Sequence, residues 1–404
     1  DLILAGRLNT QGKIPFLTAD PSKVEYHWLV QAPVASKTKT QGDGPTFAIT
    51  PDRPGSYLVI VIAQDTETKT CDLAGLVVGA TWDTPYKGPQ GHAGTYIASK
   101  FFQDRIVKAD QAWADSPQGD GITVAVIDSG INYNHADLGN QIKINEKEIP
   151  DNGIDDDQNG FVDDVYGYDF ALGDQYPYDD ESHGTHVSGL IAAENFGIAK
   201  KAKILPIKAI LPTGEASMSS LVAGIYYAIQ QKADIINLSL GGDGKTDGLL
   251  LAVLKKAQEN GILIVVAAGN GDSHLKGIDV DAHDIHFTAN DGSNVLCVAA
   301  TDELDQLASY SNYGVKGVDL AAPGGSLDPA TNKMLNPLVS TYAFSDIAPY
   351  IGKSGTSMAT PVVSGAAAVV KSVNPKLNAE EIKAILVQSG RSVSGLQGKI
   401  NSGK

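Results

Sequence analysis

Val124-Ala125-Val126-Ile127-Asp128-Ser129-Gly130 is the stretch from which the fold can be read. Its four apolar residues do not alternate with polar ones, so they predict a strand buried on both faces. Such strands belong to parallel sheets with helices packed on either side. Asp128 falls where the strand ends. In open α/β sheets ligands gather at the carboxyl ends of strands, which makes Asp128 the first candidate site residue.

Further along, apolar runs of this kind alternate with helical periods. Strands are predicted over 122–127, 202–208, 235–238 and 262–267, and helices over 183–193, 218–231, 249–260 and 357–370. Leu221, Val222, Ile225 and Ile229 share one face of the second helix. Gly261 supplies a C-terminal stop for the third. The alternation predicts a doubly wound, mostly parallel α/β sheet.

Two further segments supply chemistry. His183-Gly184-Thr185-His186-Val187-Ser188-Gly189 opens a buried helix with His183 at its mouth. Ser354-Gly355-Thr356-Ser357-Met358-Ala359-Thr360-Pro361 places a Ser among small residues at the start of another. Backbone N–H groups and the dipole at a helix N-terminus favour negative charge, which suits an oxyanion beside Ser357. The order is Asp128, His183, Ser357, with separations of 55 and 174 residues. A His that takes the Ser proton, oriented by an Asp, makes a nucleophile for acyl transfer.

These segments, with Asn237-Leu238-Ser239-Leu240-Gly241-Gly242 and Ala267-Ala268-Gly269-Asn270, resemble the subtilisin-like serine peptidases, the subtilases, from about Ile106 to the C-terminus. The resemblance implies a serine endopeptidase acting on protein or peptide substrates, secreted or held in the cell envelope. It implies catalytic roles for Asp128, His183 and Ser357, with Asn270 donating to the oxyanion. It also implies that Ser239, Leu240 and Gly241 receive substrate as an added strand, and that they wall a pocket with Ala268 and Gly269. The family often carries His after the Met-Ala-Thr-Pro run, where this chain has Val362. Two other functions remain open at this point: an inactive scaffold that binds, and a ligase or macrocyclase in which an amine intercepts the acyl-enzyme.

Charge is unevenly placed. Residues 1–105 hold ten acidic and ten basic residues, so the net charge of −16 lies beyond them. Residues 145–181 hold 13 acidic residues and one Lys, which argues against a nucleic-acid partner. Within them Asp155, Asp157 and Asn159 alternate, Gly160 allows a sharp turn, and Asp163 and Asp164 follow. That is the first half of an EF-hand-type loop, with Phe161 offering its carbonyl. The twelfth position is Tyr166 and not Glu, so a local structural Ca²⁺ loop is expected, with Asp155, Asp157, Asn159, Phe161, Asp163 and Asp164 as ligands. His186 reads as a packed helix residue, and His274, His283 and His286 read as part of a polar surface loop.

Residues 1–80 are different in kind. Strand-like runs around Trp28 and over 56–63, with the turn Pro51-Asp52-Arg53-Pro54-Gly55, predict an all-β sandwich resembling PKD or immunoglobulin-like domains. A subtilase prodomain would carry amphipathic helices, and none is found there. Residues 81–105, rich in Pro and Gly, read as a linker to a peptidase domain over 106–404. No apolar run approaches the ~18 residues of a membrane span. The chain does not begin with Met and shows no signal peptide, which reads as either a trimmed chain or a mature form whose leader has been removed. Cys71 and Cys297 fall in different predicted domains and are expected to stay unpaired.

Overall fold

The computed structural model describes residues 107–404, apart from 243, 245, 247, 284, 286, 329 and 345–348, together with the backbone of six strands before residue 107. Those strands are β1 (Leu2–Ala5), β2 (Val24–Gln31), β3 (Gln41–Asp43), β4 (Thr46–Ile49), β5 (Gly55–Asp65) and β6 (Cys71–Ala80). They pair antiparallel, in the order β3-β2-β5-β6 with β1 on β4. The expected sandwich packing depends on side chains outside the described residues, and the expected linker over 81–105 lies outside them altogether.

The peptidase-like part is built on seven parallel strands: β7 (Thr123–Asp128), β8 (Tyr168–Asp169), β9 (Lys203–Lys208), β10 (Ile235–Leu238), β11 (Leu263–Ala267), β12 (Val295–Thr301) and β13 (Leu320–Pro323). Their order is β13-β12-β11-β10-β7-β9-β8. The residues of β7 divide between two cores. Val124 and Val126 pack with residues of α2 (His183–Ala192) and α5 (Thr356–Val373). Ala125 and Ile127 pack with α3 (Met218–Gln230) and α4 (Gly248–Glu259). Burial on both faces is what the unbroken apolar run requires.

The chain runs outward from β7 through β9 on one side and through β10 and β11 on the other. The sheet order therefore switches at β7, and the carboxyl ends of β7, β10 and β11 open on one crevice. A hairpin, β14 (Leu338–Thr341) and β15 (Tyr350–Lys353), leads into α5. Short helix α1 (Ala109–Asp115) precedes β7, and α6 (Ala379–Ser389) follows α5. The α6 start carries a reciprocal cap between Asn378 and Glu381. Among the described residues no helix is long and apolar enough to cross a membrane. Cys297 is buried and free.

Candidate active site

Asp128 ends β7 and His183 begins α2. Asp128 is fully buried, and its Oδ1 accepts from Ser129 N at 2.7 Å and from His183 Nδ1 at 2.8 Å. An ionised carboxylate only accepts, so Nδ1 carries the proton and Nε2 of the neutral ring is an acceptor. A Cβ on Gly184 would strike the Gly130 carbonyl and lie 3.1 Å from Asp128 Cβ, so a glycine lets α2 begin this close to β7. Asp179 holds the turn before α2. It accepts from Ser129 Oγ (2.8 Å), Glu181 N (3.0 Å), Ser182 N (2.7 Å), Thr185 N (2.8 Å) and Thr185 Oγ1 (2.6 Å).

The imidazole of His183 feels opposing influences. Burial pushes its pKa down, but the charge and hydrogen bond of Asp128 push it up, and the net lies above the ordinary value. Lys353 lowers it and Glu181 raises it by smaller amounts. His186, one turn on, is fully buried, and its pKa is pushed down to about 3 by burial and by the charges of Lys353 and His183. Its Nε2–H donates to Leu338 O (3.2 Å) and Ile351 O (3.1 Å), which ties α2 to the β14–β15 hairpin.

Ser357 stands in the first turn of α5 and is half-buried. Its hydroxyl donates to Ser239 O at 3.0 Å rather than to His183. Pro361 lies four residues on and has no N–H to give the Ser357 carbonyl. Ser239 Oγ donates to that carbonyl instead, at 2.9 Å. Asn237 Nδ2 donates to Ser239 Oγ (2.9 Å), and Ser364 Oγ donates to Asn237 Oδ1 (2.8 Å). The nucleophile candidate is thus held by β10 through a chain of side chains.

Asn270 follows β11. Its Oδ1 accepts from Thr356 N (2.8 Å) and Thr356 Oγ1 (3.0 Å), which fixes the amide with Nδ2 on the open side. A Cβ placed on Gly355 would lie 3.5 Å from Asn270 Nδ2, 3.6 Å from Asn270 Oδ1 and 3.7 Å from Ser357 N, so the Asn270 amide and the Ser357 N–H flank the same small space. Asn312 supports this loop from behind: its Nδ2 donates to Ala268 O (2.8 Å), and its Oδ1 accepts from Gly271 N (2.9 Å) and Ile278 N (3.0 Å).

Ser239 is buried, Leu240 half-buried, and Gly241 exposed. A Cβ on Gly241 would lie 3.8 Å from Ala267 O, so this segment runs beside the one carrying buried Ala268 and half-buried Gly269. The five predicted substrate residues are thus neighbours at the ends of β10 and β11.

The acidic loop is arranged differently from the sequence pattern. Asp155 caps the turn, accepting from Asn159 N (3.0 Å) and Gly160 N (2.7 Å). Asp163 accepts from Asn152 N (3.1 Å) and Gly153 N (2.9 Å). Asn159 bonds Asp164 (2.9 Å), and the Phe161 ring packs against Tyr168, Phe170 and Tyr227. Glu148, Asp157 and Asp164 instead bring carboxylate oxygens within 4.8 Å of one another. Burial pushes the Asp164 pKa up to about 7. Asp157 and Asp164 were legible as candidates. Glu148 was not, because it precedes the repeat and reaches the cluster only through the fold, as Asn237, Asn312 and Asp179 reach the site.

The subtilase family model matches residues 119–401. The chain belongs to the subtilase family. It is 34% identical over 338 residues to the thermophilic serine proteinase of Bacillus sp. (strain AK1), covering 80% of this chain and 69% of that one. It is 32% identical over 320 residues to thermitase of Thermoactinomyces vulgaris, covering 76% and 96%. Among solved structures it is similar to a cold adapted subtilisin-like serine proteinase, with TM-score 0.54, 28% identity, and coverage of 70% and 89%. The protein is accordingly a subtilisin-like serine endopeptidase.

Proposed function

We propose that the enzyme hydrolyses peptide bonds through Asp128, His183 and Ser357 by way of an acyl-enzyme. The observation that carries this is the 2.8 Å bond from His183 Nδ1 to Asp128, at strand and helix ends that open on the Ser357 turn. Rotation of the Ser357 side chain releases Ser239 O and offers the hydroxyl to Nε2. His183 takes that proton as Ser357 Oγ attacks the carbonyl. It then returns the proton to the leaving amine, while Asn270 Nδ2 and Ser357 N hold the oxyanion. The extended substrate pairs along 239–241, beside Ala268 and Gly269. A fluorophosphonate probe tests the assignment: labelling at Ser357 supports it, and an unlabelled protein points to an inactive binding scaffold. Acceptance of an added amine in place of water would instead favour a ligase.

His183 must be neutral to act as base. Because Asp128 holds its pKa above the ordinary ~6.5, kcat/KM is expected to rise with pH through one ionisation above that value. Asp128 favours the imidazolium, so Asp128→Asn should move the midpoint down. A profile flat from pH 5.5 to 9 would contradict the assignment.

We also infer a structural Ca²⁺ site in the loop before α2. Three carboxylates within 4.8 Å, two of them buried, offer the all-oxygen ligand set a hard cation needs. Glu148, Asp157 and Asp164 would hold the ion, with Asp155 and Asp163 shaping the loop. An ion bound at about 100 times its Kd contributes roughly 2.7 kcal/mol. Excess chelator is expected to lower the melting temperature by roughly 5–8 °C. Glu148→Gln should remove that response, and an unchanged melting temperature would remove the site. A location outside the cytoplasm accords with a calcium-stabilised fold. Residues 1–80 are read as a separate β domain, joined by 81–105 to a peptidase domain over 106–404.

A further inference from the structure

Lys208 is a charged residue where its strand calls for an apolar one. β9 is buried from Ile204 onward, and the Lys208 side chain is fully buried with it. Ile204 packs in the same core as Val124 and Val126, and Lys208 lies in register with Asp128 on the neighbouring strand. Side chains alternate along a strand, so Lys208 and Asp128 end adjacent strands on the same face. A buried ammonium is costly unless it is well paired, so its partners fix its place.

Two partners are held at short range. Nζ donates to Ser129 O at 2.7 Å and to Asp180 Oδ1 at 2.6 Å. Ser129 directly follows Asp128, and its N–H donates to Asp128 Oδ1 beside His183 Nδ1. Its hydroxyl donates to Asp179 Oδ1 and accepts from Gly184 N at 2.9 Å. Asp180 stands three residues before His183, in the turn that Asp179 braces. One ammonium thus reaches both sides of the Asp128–His183 contact: the chain leaving Asp128 and the chain arriving at His183. Burial raises the pKa of Asp169 and of Asp174, and the Lys208 charge acts on both in the opposite sense.

We propose that Lys208 is a positioning residue for the catalytic pair: through Ser129 O and Asp180, its ammonium fixes the separation and orientation of Asp128 and His183. Charge-assisted hydrogen bonds in a place closed to water resist displacement more than neutral ones do. A misplacement of about 1 Å can cost on the order of a hundredfold in rate. The proposal rests on the triad reading, since it takes the Asp128–His183 contact as the one that serves Ser357.

The test uses the full chain, counts active sites with the fluorophosphonate probe and expresses kcat per labelled site, so that misfolded molecules do not enter. Lys208→Met keeps an unbranched apolar stem and removes the charge and the donors. It should lower kcat by on the order of 10–100-fold with KM nearly unchanged. The midpoint of the kcat/KM profile should fall with it, because a loosened Asp128 raises the His183 pKa less. Loss of a positive charge with the geometry intact would move the midpoint up instead. Lys353 and Glu181, the other charges acting on the ring, are unchanged in these variants. Lys208→Arg keeps charge and donors and should recover most of the rate.

Should Lys208→Met fail to fold, Asp180→Ala carries the test, because Asp180 is partly exposed and its loss cuts only the tie to the turn. It should lower kcat by on the order of tenfold and move the midpoint the same way. Asp180→Asn, which retains an acceptor, should do less. A parent-like kcat and midpoint in the variant that folds would overturn the inference and leave Lys208 only the neutralisation of buried acids. A midpoint that rises would overturn it as well. In both cases labelling at Ser357 in the parent keeps the triad. A parent that neither labels nor cleaves would overturn the triad assignment and this inference with it.

Discussion

Replacing Ser357 with alanine is expected to abolish fluorophosphonate labelling and to lower kcat by on the order of 10⁴–10⁶. The substitution removes the attacking oxygen and little else. Ser357 Oγ makes one hydrogen bond, to Ser239 O. The Ser357 carbonyl, which Ser239 Oγ supports in place of the missing Pro361 N–H, is untouched. Folding should therefore survive, and the melting temperature should stay within a degree or two of the parent. Adding His183→Ala to Ser357→Ala should cost little more, since the two act as one unit. If Ser357→Ala kept more than a hundredth of the parent activity, another residue would have to be the nucleophile.

Asn270→Ala should lower kcat by on the order of 10²–10³, about 3–4 kcal/mol of transition-state stabilisation, with KM nearly unchanged. The separation follows from geometry. In the proposed mechanism Nδ2, which lies beside Gly355 and close to Ser357 N, donates to the charged oxygen of the tetrahedral species, so the bond it makes belongs to the transition state. Asn270 also has a structural role, since Oδ1 accepts from both Thr356 N and Thr356 Oγ1. Asn270→Asp separates the two. It keeps acceptors for Thr356 but places a negative charge where a donor is needed, and should be at least as inactive as Asn270→Ala while remaining folded. A rise in KM at constant kcat would mean that Asn270 binds substrate and plays no part in stabilising the oxyanion.

Much of the fold was open to reading because two of its central strands are unbroken apolar runs. Val124–Ile127 and Leu263–Ala267 each announce burial on two faces, and the sheet uses them that way. The β14–β15 hairpin gave no such signal. Its strands are four residues each, and β15 is only half-buried throughout, so it has no period to detect. It is held by His186, whose buried ring reaches Leu338 O and Ile351 O across more than 150 residues of sequence. In the acidic loop the regular spacing points to Asp155 and Asp163 as ligands, and backbone N–H groups of the tight turns donate to both carboxylates.

The sequence by itself determined the chemistry available to this protein. Residue types in short local frames named Asp128, His183, Asn270 and Ser357, and local periodicity placed them at strand ends and helix starts. Only the tertiary structure decided how those groups meet and what surrounds them. Gly184 allows α2 to begin against β7, Ser239 and Asn237 reach across from β10 to Ser357, and Glu148 joins Asp157 and Asp164. The physical reason is that a hydrogen bond or ion pair depends on distance and desolvation in three dimensions, whereas the patterns legible in a sequence extend over a few turns of chain.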